Sequence, residues 1–335
     1  MTAIHTFRSF AAAALAVTAF ASFGSSDALG QTGGRVDIDG SSTVYPITAA
    51  AAEEFSKENP DVRTTVGISG TGGGMKRFAA GETDISNASR PIKYSEAQTA
   101  QENGVEFIEL PIAYDGLSIV VNPKNEFVQQ LTVDELKLIF RADNPAKTWQ
   151  EVNSAYPAEE IKIFMPGTAS GTFDYFREVV IGNGSARGDA AVSVSEDDNV
   201  LVRGVAGNEF GIGFFGSAYY FENKDQLRSV AIVNPAGDAV RPTVETIESG
   251  EYAPFSRPLF IYVNKASANK PEVEKFVGFY MENAGRLANE VGYVGLPRDI
   301  YRQATRNFRT GKTGTVFSTE DGKSKEGSLR EIYMQ

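Results

Sequence analysis

From residue 35 onward the chain repeats one plan: a short apolar strand, a loop of hydroxyls and glycines, then an amphipathic helix. Val36 to Ile38 reads as a strand running into Gly40, Ser41, Ser42 and Thr43, after which Val44, Ile47, Ala51 and Phe55 recur at helical spacing. Pro46 falls in the first turn of that helix, where its missing N–H is harmless, and Asn59-Pro60 ends it. Val62 to Ile68, the loop Ser69 to Gly74 and a helix carrying Met75, Phe78 and Ala79 repeat the plan. Ile85 to Ser89 gives a third strand, closed by Arg90-Pro91. Ile161 to Met165, the loop Pro166 to Thr172 and a helix over 173–180 follow the same order further along. Such alternation predicts an α/β fold.

Smaller signals fill in the rest. Ser95 with Gln98, and Thr132 with Glu135, have the spacing of capping boxes, and Leu136, Ile139 and Phe140 give the second helix an apolar face. Residues 193–208 read as a helix and 212–216 as a Gly/aromatic strand. Leu117 to Asn122 and Leu259 to Asn264 echo each other and read as paired strands crossing between two domains. On that reading residues 31–122 and 256–310 make one discontinuous domain and 123–255 the other. From Thr310 Gly, Lys, Ser and Thr dominate, so 311–335 is expected to be a loosely packed tail ending in a short element around Leu329 to Tyr333.

The first thirty residues differ from the rest. A polar start carrying Arg8 is followed by the uncharged, Ala-rich run Phe10 to Phe23, the pattern of a secretory signal peptide over residues 1–30. The run is short of the ~20 apolar residues that a membrane span needs. Ala28 to Gly30 suits cleavage, which would leave Gln31 first. About 300 residues then remain of the 335, room for two cores.

The chain has no cysteine and one histidine, His5, inside the expected leader. Without Cys there is neither a disulfide nor a lipid-modified N-terminus, so the exported protein should be free of the membrane. Without His, a Ser-His-Asp triad and a His-based metal site are excluded. The net charge of −11 argues against nucleic acid and anionic membrane as partners. It does not oppose a small buried anion, since surface charge is screened beyond roughly 8–10 Å.

A helix N-terminus offers unpaired N–H groups and a partial positive charge, so an anion can be held there without lysine. Three loops have that chemistry: Ser41 to Val44, Thr71 to Gly74, and Ala169 to Thr172. Each alone is also what ordinary helix capping produces. Arg90 is the natural cation beside them, its planar fork matching a tetrahedral oxyanion edge. Neither Gly167 to Gly171, which lacks a nucleophile elbow, nor Gly311 to Thr313, which lacks the glycine of a P-loop, completes another motif. The acidic run Glu196 to Asp198 lacks EF-hand spacing.

The stretches Gly40 to Pro46, Ser69 to Gly74, Ile85 to Pro91 and Ser170 to Thr172 resemble, in order, the signature loops of the periplasmic phosphate-binding proteins of ABC uptake systems. The resemblance covers about residues 35–300. It implies a two-lobed periplasmic-binding-protein fold of type II, two α/β domains joined by crossing hinge strands. It further implies inorganic phosphate as ligand, an inner-membrane permease with its ATPase as partner, a periplasmic monomer, and no cofactor, metal or enzymatic activity. Carried over by position, Ser42, Thr43 and Val44, then Thr71 and Gly72, then Ser170, Gly171 and Thr172 would give the donors, Val44 only through its N–H. Many members carry Asp where this chain has Arg90, and an Arg shortly before Ser-Gly-Thr, where this chain has Pro166 to Thr168. The cation is therefore expected from Arg90. The carboxylate that accepts the phosphate proton is expected at Asp174 or Asp198, with Asp115 behind them. Another oxyanion (sulfate, molybdate or a small phosphoester), and more remotely an exported phosphatase, stay open as alternatives.

Overall fold

In the computed structural model residues 33–168, 170–319, 323, 325 and 327–335 are described. The expected leader and its cleavage point lie outside them. In chain order the strands are β1 (Arg35–Gly40), β2 (Arg63–Val66), β3 (Ile85–Ala88), β4 (Phe107–Val121), β5 (Gln130–Leu131) and β6 (Lys162–Met165). They continue with β7 (Val192–Val194), β8 (Gly211–Gly216), β9 (Arg228–Ser229), β10 (Ala231–Val233), β11 (Ala239–Val240) and β12 (Ser256–Asn264). One sheet runs β2-β1-β3-β12-β4-β8-β6-β7 with β9 on β4, and β11-β10-β5 form a second, small one.

The first two repeats of the plan form as expected. β1 lies between β2 and β3, parallel to both. It feeds α1 (Tyr45–Glu58), whose Ile47, Ala51 and Phe55 are buried, Phe55 edge-on to Phe276 at 5.3 Å between centroids. α2 (Gly70–Ala79) starts inside the Ser69–Gly74 loop rather than after it. A Cβ on Gly74 would lie 2.4 Å from the Gly40 Cα, so only glycine lets α2 rest on the end of β1. Parallel strands with helices at their carboxyl ends set the loops on one edge of the sheet.

β4 organises the middle. All fifteen of its residues are buried, and it changes partner along its length. Phe107 to Gly116 pair with β12, and Leu117 to Val121 with β8. The echoing segments therefore do not face each other, as their likeness suggested: Leu259 sits opposite Ala113 and Asn264 opposite Phe107. The ladder slips between Leu259 and Phe260, where Phe260 faces Pro111, a residue with no N–H to give.

Two local expectations are corrected, and a third holds. α3 (Tyr94–Glu102) begins earlier than Ser95, because Glu96, already held by Arg90, accepts from the Lys93 N–H at 2.9 Å and makes Lys93 the cap. The Thr132 box does form and opens α4 (Val133–Phe140). Residues 193–208 are not one helix. Val192 and Val194, β-branched and alternating with Ser193, join β6 as a parallel strand instead. Between these segments lie the short α5 (Trp149–Val152) and α6 (Gly171–Phe176), and α7 (Asp198–Ala206) follows β7.

The C-terminal segment, where it is described, is anchored to the core rather than loose. The element at Leu329–Tyr333 forms, and Phe317, Leu329, Ile332 and Tyr333 are buried. Phe317 packs edge-on to Phe260 at 5.1 Å, and the Tyr333 hydroxyl donates to the Glu109 carbonyl at 2.9 Å. Composition misled here because a few apolar anchors, each worth about 1.5–3 kcal/mol when buried, outweigh the polar residues between them.

Glu109 is fully buried beneath this segment, accepting from Val316 N at 3.1 Å and Tyr262 Oη at 2.9 Å. Burial pushes its carboxyl up to about 7, and burial likewise lifts Asp115 to about 6. No imidazole titrates in residues 33–335, since the single histidine is His5. Both carboxyls hold their proton more tightly folded than unfolded. Their contribution to stability is complete below about pH 4 and is lost as pH rises to about 7. The urea midpoint is accordingly expected to fall between about pH 5 and about pH 8, and Glu109→Gln to flatten the upper part of that slope. A midpoint rising with pH over this window would contradict the assignment.

Candidate functional site

Two of the three loops, with the end of β3, line one cleft of about 480 Å³. Ser41, Ser42 and Thr43 reach it from the end of β1, Thr71 and Gly72 from the first turn of α2, and Ser89 and Arg90 from the end of β3. Asp174, Tyr175, Arg177 and Glu178 close the opposite side, and Arg257 forms part of the wall.

Each loop is pinned from behind. The Ser41 N–H donates to Asn87 O at 3.0 Å, and Tyr293 Oη donates to Thr43 O at 2.7 Å. Thr71 Oγ1 accepts from the Ser89 N–H at 3.2 Å, tying α2 to the end of β3. α6 is held by Phe176, which stacks on Phe214 of β8 with centroids 3.9 Å apart. Ser170 caps it, accepting from Phe173 N at 3.4 Å. The N–H groups of the first turns of α2 and α6 have no carbonyl in their own helix to bond.

Of the expected residues, Ser42, Thr43, Thr71, Gly72, Arg90 and Asp174 line the cleft. Val44 has its side chain in the core, which leaves only its N–H to offer. Ser170, Gly171 and Thr172 sit at the joint behind the wall rather than in it. There Gly171 meets the first loop so closely that a Cβ would lie 2.7 Å from the Thr43 Cα. Ser42 Oγ donates to Asp174 Oδ2 at 3.2 Å across the same joint.

Arg90 does not supply a free fork. Both its terminal nitrogens are spent on Glu96, at 2.9 and 2.8 Å, and Nη1 also reaches Pro91 O. The guanidinium aimed at the loops is that of Arg257, at the start of β12. Its Nε donates to Asp115 Oδ2 at 3.2 Å, Nη1 to Glu178 Oε2 at 3.2 Å and Nη2 to Thr43 Oγ1 at 3.3 Å. Its Cζ lies 3.6 Å from the centre of the Tyr175 ring, a stacked cation–π contact. Asp115 is its direct partner across the β4–β12 ladder, so the strand register itself aims the side chain. Sequence reading missed Arg257, although Ser256-Arg257-Pro258 repeats the tripeptide Ser89-Arg90-Pro91 that drew attention to Arg90.

Hydroxyls, helix-start N–H groups and a stacked guanidinium around one cleft make a donor cage suited to an oxyanion. A family model described as a PBP superfamily domain matches residues 25–284. The protein SphX of Synechococcus elongatus is 49% identical over 302 residues, 90% of this chain and 88% of its own length. The phosphate-binding protein PstS of Staphylococcus saprophyticus is 42% identical over 275 residues, 82% of this chain and 84% of its own. The chain belongs to the PstS-like phosphate-binding family of the PBP superfamily. A crystal structure described as a possible phosphate binding protein from Planctomyces limnophilus superposes with a TM-score of 0.79 at 44% identity, covering 84% of this chain and 99% of that one. Among the described residues no helix is long and apolar enough to cross a membrane.

Within this PstS-like cleft the three candidate carboxylates part company. Asp174 lines the wall with its side chain 40% exposed. Asp115, 1% exposed, lies behind Arg257, and its charge is spent aiming that guanidinium. Asp198 opens α7 outside the cleft wall, where burial, with Asp197 and Glu196 beside it, lifts its carboxyl to about 6.

Proposed function

We propose that this chain is an extracytoplasmic solute-binding protein that captures inorganic phosphate in the cleft and hands it to the membrane permease of an ABC transporter. The observation that carries the reading is the convergence of Ser42, Thr43, Thr71, Gly72 and Arg257 on one cleft at the carboxyl ends of parallel strands. These groups donate hydrogen bonds to an anion and do not form a nucleophile with its base, which favours a binder over an enzyme. The PstS-like relatives support phosphate as the ligand, and the leader-like segment over 1–30 supports export to the periplasm as a free monomer.

On this reading residues 31–122 with 256–310 form one lobe and 123–255 the other, hinged on β4 and β12. The change of β4's partner after Gly116 supports a hinge there, with Leu117 to Val121 moving with β8. Gly171 already meets Thr43, so on this reading Ser170, Gly171 and Thr172 hold the second lobe's helix start against the first loop, beside the ligand. Asp174 is the acceptor for the phosphate proton, being the one of the three candidates that lines the cleft.

Isothermal titration tests this. Phosphate is expected to bind at micromolar concentration or tighter, and sulfate at least about tenfold more weakly, because a carboxylate accepts from phosphate and repels sulfate. Asp174→Asn is expected to narrow that ratio. Absence of heat with phosphate would end the proposal.

A further inference from the structure

Two carboxylates share Arg257, and they are unlike. Asp115 is 1% exposed and fixed opposite Arg257 in the ladder, whereas Glu178 is 70% exposed and sits on the π-helical turn Arg177–Ile181 that follows α6. Glu178 takes the terminal nitrogen Nη1, beside the Nη2 that points to Thr43. That pair of nitrogens is the edge with which a guanidinium grips an oxyanion. The contacts of Asp115 and Glu178 are equally long, at 3.2 Å, so exposure is what separates them: solvent can take up the Glu178 carboxylate and cannot reach that of Asp115. Glu178 also lines the cleft with Ser42, Thr43 and Thr71.

We propose that Glu178 is an internal competitor for the anion: its carboxylate seats on the gripping edge of Arg257 and swings out when an oxyanion takes that edge. The proposal rests on reading the cleft as a phosphate site. A solvated carboxylate on a long side chain is weakly held, so it gives way readily. It nonetheless sets the affinity below what Arg257 could deliver alone, and it offers the guanidinium a replacement partner as the ligand leaves. Competition of this kind is blind to the ligand's proton. A carboxylate that accepted that proton would instead favour phosphate over sulfate.

The test titrates the mature chain, Glu178→Gln and Glu178→Ala with inorganic phosphate and with sulfate, alongside thermal melts. Both variants are expected to bind phosphate about three- to tenfold more tightly, and sulfate to tighten by a similar factor, with melting unchanged because Glu178 is exposed. Unchanged affinities in variants whose parent binds phosphate would overturn the proposal and leave the phosphate site standing. So would weaker phosphate binding with tighter sulfate binding, which would make Glu178 a proton acceptor. If the parent and both variants bind no phosphate, the reading of the cleft fails, and the proposal fails with it.

Discussion

Arg257→Lys is expected to weaken phosphate binding at least about a hundredfold while leaving the unfolding midpoint close to that of the parent. The guanidinium does several things at once: it pairs with buried Asp115, lies flat on Tyr175 and turns its far edge to Thr43. A lysine keeps the charge and can still pair with Asp115, so the buried carboxylate is not left alone. It cannot also present two coplanar donors to an anion. Each charge-assisted bond is worth about 1.5–3 kcal/mol, and a hundredfold corresponds to about 2.7 kcal/mol, so losing one or two bonds is enough. Arg257→Ala is a poorer probe, because stripping the partner from a buried carboxylate costs about 3–5 kcal/mol of stability and would blur binding with unfolding. Titration and melting of the lysine variant separate the two. Affinity within about threefold of the parent would mean that the anion is gripped elsewhere, and Arg90 would return as the candidate.

How far the sequence reached can be seen from the two arginines. Arg90 was legible because its neighbours in the chain, a strand before it and Pro91 after it, place it at a strand end. What the neighbours could not show is that Glu96, six residues on, takes both of its terminal nitrogens. Arg257 stands in the same tripeptide, but its importance comes from Asp115 and Thr43, 142 and 214 residues away, met only through the ladder register. The loops themselves were readable for the opposite reason. Hydroxyls and glycines between a strand and a helix are local chemistry, and Thr71 to Gly74 and Ser170 to Thr172 stand at helix starts as their composition implies. Gly171 illustrates the limit: the sequence marks it as a loop glycine, and the fold reveals that it is glycine because of Thr43.

Gly171→Ala carries that contact into an expected result: a loss of phosphate affinity of about tenfold to a hundredfold with little loss of stability. A Cβ at this position would lie 2.7 Å from the Thr43 Cα and 3.2 Å from the Thr43 nitrogen. Both are backbone atoms, so no side chain can swing away to make room. The start of α6 and the Ser42–Thr43 turn must instead separate by roughly an ångström, and a hydrogen bond stretched that far from about 2.9 Å is no longer one. If, as proposed, the anion takes donors from both loops, it then keeps one set and loses the other. The helix itself should not suffer, since alanine is favoured over glycine by about 1 kcal/mol in helices. Gly278→Ala is the matched control, because its Cβ would meet nothing within 4 Å and it is not part of the cleft wall. Parent-like phosphate affinity in Gly171→Ala would mean that the two loops part without penalty. The apposition of α6 and the first loop would then be incidental to how the ligand is held.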